Sequence, residues 1–135
     1  MNKTINLEAA IEIINDAKIK AQEIGVPMNI AVVDEGGNLV AFERMDGAWL
    51  GSIDIAQGKA YTARAFNMST KELSEYAQPG GPLFGINTSN QGKLIIFAGG
   101  IPLKKDDLVV GAVGVSGGTV DQDHTVASAA AEKYK

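Results

Sequence analysis

The sequence predicts one α/β domain of the α+β type over residues 1–135, with a central antiparallel sheet of five strands flanked by helices. Three observations carry this. Segments at both ends repeat apolar residues at helical spacing. Short apolar runs between them are joined by tight glycine turns, which favour antiparallel pairing. At 135 residues and 45% hydrophobic residues, the chain can bury a core, and it shows no linker or repeat.

Each element has its own signature. Residues 7–24 place Leu7, Ala10, Ile11, Ile14, Ala17, Ala21 and Ile24 on one helical face. Asn6 is the expected N-cap, and Gly25 followed by Pro27 ends the helix. Residues 28–34 and 38–44 read as a β-hairpin turning at Glu35-Gly36-Gly37. Ser52 is expected to cap a helix reaching about Phe66, with Ile53, Ala56, Ala60 and Ala63 on one side. Ser69 or Thr70 starts a short helix through Tyr76. Residues 77–92 form a long irregular stretch rich in Gly, Pro, Asn and Ser. Lys93–Ala98, Ile101–Lys104 and Leu108–Val115 read as three further strands, and residues 119–134 as the last helix. In the final strand Val110, Ala112 and Gly114 share a nearly bare face, open to close approach by a helix or another subunit.

Composition narrows the function. A net charge of −4 excludes nucleic acid as a main partner, and likewise an anionic membrane surface. Without cysteine there is no disulfide, thiolate zinc site or cysteine nucleophile. No apolar run approaches a membrane span, and Met1–Asn6 lacks the apolar run of a signal peptide, so a cytoplasmic location is expected.

The most site-like segment is Gly114-Val115-Ser116-Gly117-Gly118, which matches G-x-S-x-G between a strand and a helix. A serine nucleophile needs a histidine base held by a carboxylate. His124, the single histidine, lies on the helix that follows this same turn, and the parallel sheet of those hydrolases is missing. The structural alternative is a strand-to-helix entry that needs glycine, with Thr119 as cap and Asp121 and Asp123 in the first turn. Asp121, His124 and Ser128 share a helix face that lines a polar pocket or faces solvent. Arg44 and Asp46 either hold a carboxylate or close a turn. Lys59 is read as a surface lysine, with a charge facing a pocket as the alternative. One histidine makes no zinc site, and no catalytic residue or metal ligand is assigned.

Several segments together resemble one family. They are Ala31-Val32-Val33-Asp34-Glu35-Gly36-Gly37-Asn38-Leu39-Val40, Arg44-Met45-Asp46-Gly47-Ala48, Ala56-Gln57-Gly58-Lys59-Ala60-Tyr61-Thr62-Ala63, Gly99-Gly100-Ile101-Pro102-Leu103, Gly111 to Gly118, and Gln122-Asp123. Their order and spacing are similar to the GlcG/HbpS family, which includes the C-terminal domain of PduO-type corrinoid adenosyltransferases. The resemblance implies a profilin-like fold, homo-oligomers and a place in glycolate, diol or glycerol catabolism, with no settled reaction. Some members bind haem through a histidine on the N-terminal helix, and residues 7–24 here carry none. His124, Met45, Met68 and Tyr61 remain as formal iron ligands.

The resulting expectation is a small-molecule-binding, non-catalytic accessory protein. Its pocket is expected from Arg44, Asp46, Lys59, Gly99, Gly100, Ser116, Gly117, Asp121, Asp123 and His124. The alternatives are haem binding or handling, and an isomerase, hydratase or hydrolase acting through Ser116 or His124.

Overall fold

The computed structural model describes residues 4–134. Among them the chain forms α1 (Leu7–Ile24), β1 (Asn29–Asp34), β2 (Leu39–Arg44), α2 (Ser52–Phe66) and α3 (Thr70–Tyr76). Two 3₁₀ turns, Ile86–Thr88 and Asn90–Gly92, precede β3 (Gly100–Lys105), β4 (Leu108–Ser116) and α4 (Val120–Tyr134). The four strands form one antiparallel sheet in the order β2-β1-β4-β3.

Local chemistry sets the helix ends. Asn6 Oδ1 accepts from the Ala9 N–H at 2.8 Å, and Gly25 closes α1 in the left-handed region at φ 74°. Ile13 joins Ala10, Ile14, Ala17 and Ala21 in the core, while Leu7 and Ile11 face outward. Ser69 Oγ caps α3 through the Glu72 N–H. At α4, Thr119 Oγ1 accepts from the Gln122 N–H and Gln122 Oε1 accepts from the Thr119 N–H, a reciprocal capping box. Ser52 does not cap α2. It is the buried first residue of that helix, behind Gly51, which offers no side-chain cap.

The sheet has four strands, not the five expected. Lys93–Ala98 lies along α2 instead of pairing with a strand. The Ile95 N–H donates to Thr62 Oγ1 at 3.0 Å, and the Ile95 side chain rests on Gly58, where an added Cβ would come within 2.7 Å. Both edges of β1 and both edges of β4 are already occupied by strands. An apolar run of this length suits a strap over a helix as well as a strand.

α1 and α4 cover one sheet face, where Ile30, Val32, Val113 and Val115 pack against Ile13, Ile14, Val126 and Ala127. α2 covers the other, setting Ala56, Ala60 and Ala63 on Ala31, Val33 and Ala112. The bare face of β4 is therefore filled by the chain's own helix. A Cβ at Gly114 would strike the Ala56 carbonyl oxygen. Val110 does not share this face. The register slips between Leu103 and Lys104, and Val110 joins the core beneath α1 and α4. No helix among the described residues is long and apolar enough to cross a membrane.

Candidate functional site

The antiparallel topology brings the start of β1, the end of β2, the start of β3 and the end of β4 to one end of the sheet. Arg44, Asn29 and Ser116 form one rung across three strands, and Gly100 pairs with Gly114 two rungs further in. Most residues named from the sequence therefore lie at this end.

Lys59 is wholly buried, which overturns its reading as a surface lysine. Its Nζ donates to Asp123 Oδ2 at 2.8 Å and to the Val115 carbonyl at 2.9 Å, and lies 5.1 Å from the centre of the Phe97 ring. Asp123, also buried, accepts at Oδ1 from the Gly118 N–H at 2.9 Å. Burial lowers the Lys59 pKa and raises that of Asp123, and their mutual attraction opposes both shifts. Gly99 makes the pair possible. Its φ is +133°, and a Cβ there would sit 2.7 Å from Lys59 Nζ. The neighbouring Gly100 N–H donates to Thr70 Oγ1 at 2.9 Å. Gly117 lies against Pro27, whose carbonyl oxygen would be 2.6 Å from an added Cβ. Lys59, Gly99, Gly117 and Asp123 thus form one tight cluster, with Gly100 and Ser116 on the strands beside it.

His124 follows Asp123 but faces elsewhere. It is half-buried, its Nδ1 has no hydrogen-bond partner, and burial and then the Lys71 charge lower its pKa against a weaker pull from Asp121. Asp121 itself is exposed. No hydrogen bond joins Ser116 to His124 among the described residues.

Arg44 and Asp46 stand apart from the lysine cluster. The Arg44 guanidinium donates to the Ala48 carbonyl from Nε at 3.2 Å and Nη2 at 3.0 Å, closing the turn after β2. Asp46 is exposed in that turn. Both line an open, polar cleft of about 370 Å³ against α1, beside the Lys18–Glu43 ion pair.

A second cavity, about 400 Å³, lies between the β1–β2 turn, α2 and Gly92–Ile95. Val33, Leu39, Ile55 and Ile95 supply apolar walls, Tyr61 a ring, and Asp54, Gln57 and Lys93 polar groups. Sequence reasoning missed it. The available signal was Gly58, a glycine in a helix interior, where it costs up to about 1 kcal/mol unless something must come close.

The model of the family described as haem degrading protein HbpS-like matches residues 5–132. The chain belongs to the HbpS-like family. An uncharacterized 15.0 kDa protein in the dhaT-dhaS intergenic region of Citrobacter freundii is 45% identical over 131 residues, spanning 97% of this chain and 92% of the relative. The crystal structure of Klebsiella pneumoniae protein ORFY superposes with a TM-score of 0.93 at 42% identity, covering 99% of this chain and 96% of that one. A crystal structure of a PduOC–haem complex gives a TM-score of 0.91 at 36% identity, covering 96% and 94%.

Of the formal iron ligands in this HbpS-like chain, Tyr61 lines the apolar cavity and Met45 the polar cleft. α1 offers no histidine, and Lys18 is paired to Glu43. The Met45 Sδ accepts from the Met28 N–H at 3.4 Å. His124 lines neither the polar cleft nor the apolar cavity.

Proposed function

We propose that this HbpS-like chain is a small-molecule-binding, non-catalytic accessory protein of glycolate-, diol- or glycerol-type catabolism, cytoplasmic, profilin-like in fold and working as a homo-oligomer. The observation that carries the reading is the apolar cavity beside α2. It falls within the ~300–1,000 Å³ of small-molecule sites and joins apolar walls to a few polar groups. The buried Lys59–Asp123 pair supports a non-catalytic role. Lys59 is fully engaged inside the protein, and both Asp123 oxygens are bonded.

A thermal-shift screen against diols, hydroxy acids, haem and cobalamins tests this. A compound at a hundredfold excess over its Kd adds about 2.7 kcal/mol, a rise of several degrees in Tm. The rise is expected for at least one compound and is expected to shrink in Tyr61→Ala. A folded protein unmoved by every compound overturns the reading.

The sheet end is the alternative seat, favoured by one observation. Asn29 Oδ1 is buried without a partner on the rung that holds Ser116. A rise in Tm that survives Tyr61→Ala and falls in Ser116→Ala would move the site there. For haem, the support is the PduOC complex. Hemin mixed with the protein is expected to keep the spectrum of free hemin. A shifted Soret band lost in His124→Ala would instead name the ligand.

A further inference from the structure

We propose that the cavity beside α2 takes a planar, mostly apolar molecule carrying one carboxylate, its body stacked on Tyr61 and its carboxylate paired with Lys93. This rests on the small-molecule-binding reading above and names the chemical class.

Shape comes first. Two glycines let the walls close in. At Gly37 (φ +78°) a Cβ would lie 3.2 Å from the Tyr61 ring, so the hairpin rests directly on that ring. At Gly58 the missing Cβ admits Ile95. The result is a half-open, mostly apolar slot with an aromatic wall, which suits a flat body.

Charge comes next. Lys93 is exposed, its Nζ lies 5.4 Å from the centre of the Tyr61 ring, and it has no carboxylate partner among the described residues. The other charged group in the lining, Asp54, sits in the first turn of α2, where the helix N-terminus offsets its charge. Lys93 is therefore the group of the lining available to an anion.

Backbone geometry agrees. Asn90, Gln91 and Gly92 have φ of 51°, 60° and 74°, a left-handed run immediately before Lys93. Non-glycine residues persist in that region where their surroundings hold them there, and such residues gather at ligand sites. This corner carries Lys93 to the mouth of the slot, and the Ile95–Thr62 hydrogen bond fixes the strap beyond it.

The test is a titration with 2-naphthoate and with its uncharged counterpart 2-naphthalenemethanol, followed by calorimetry and by backbone amide shifts. Saturable one-site binding is expected, with shifts centred on Gly37, Gly58, Tyr61 and Lys93. Lys93→Gln, an exposed change that leaves the core intact, is expected to weaken 2-naphthoate about three- to fivefold, the scale of an exposed ion pair, and to leave the alcohol unchanged. Tyr61→Ala is expected to weaken both about tenfold. Absence of saturable binding, equal loss of both probes in Lys93→Gln, or shifts centred away from the slot each overturn the proposal. If 2-naphthoate binds as described and no pathway compound stabilises the protein, the slot stands and the catabolic role falls. If a pathway compound stabilises the protein and 2-naphthoate fails, the reverse holds.

Discussion

Lys59 directs its ammonium to Asp123, to the Val115 carbonyl and towards the Phe97 ring, with no exposure to water. The cost of removing two charges from water is offset only while both are present. Lys59→Met is therefore expected to lose about 3–5 kcal/mol in urea unfolding, because Asp123 is left as a buried, unpaired charge. Pairing it with Asp123→Leu should recover most of the loss. A single variant as stable as the parent would show that the bond contributes nothing. The sequence displayed half of this arrangement. A lysine in a stretch of small apolar residues is visible on its own, but its partner is 64 residues away and no local pattern connects them. His124 gives a second prediction at this scale. Its folded pKa lies below the ordinary 6.5 through burial and the nearby Lys71. As pH falls, the unfolded chain takes up this proton first. The contribution is thus complete above about 6.5, declines as pH falls below it, and levels off beneath the folded pKa. Urea midpoints measured downward from about pH 7.5 should show this slope, and His124→Gln should flatten it.

At the scale of the element, α2 on β4 is the most demanding contact. Gly114→Ala pushes a methyl group into the Ala56 carbonyl, and Ala60 Cβ is only 3.0 Å away. The expected cost is about 1–3 kcal/mol or more, read as a drop in Tm, because a helix backbone has little room to yield. Thr119→Ala should cost about 1 kcal/mol by removing one half of the α4 capping box. The helices were legible because spacing and caps are local properties. α1 reads correctly from Asn6 to Gly25, even though Ile13 and not Ile11 faces the core. The strap at Lys93–Ala98 was not legible as such. Its partner is a side chain of α2, and a short apolar run does not announce what it lies on. The slip at Leu103/Lys104 was equally hidden, since a single displaced residue sends Val110 to the opposite face.

For the whole molecule, the apolar surface matters most. Trp49 is 63% exposed, Leu50 73% and Phe84 66%. The alanine- and glycine-rich surfaces that suggested self-association in the sequence lie instead beneath α2. The exposed apolar residues are now the better motive for the proposed homo-oligomer, because sizeable apolar patches mark interaction surfaces. Light scattering at micromolar concentration is expected to give a mass above one chain, and Trp49→Ser with Leu50→Ser is expected to reduce it. A monomeric parent would refute both statements. The cavity beside α2 shows the same division between visible and hidden. Gly37, Gly58 and Tyr61 are plain in the sequence, but only the packed hairpin, helix and strap make a slot of them.

The strand order has a consequence for how the protein is made. β1 and β4 are the central pair, and Asn29 sits opposite Ser116. A ribosome delivers the β1–β2 hairpin long before β4 emerges. During that interval β1 presents an open edge, Ile30 and Val32 lack the cover of α4, and α2 lacks much of its floor. Closing so long a loop delays the central pairing, and an unpaired apolar edge is where nascent chains associate wrongly. Synthesis of this protein should therefore depend on chaperones that hold the growing chain until the glycine-rich strand arrives to complete the sheet.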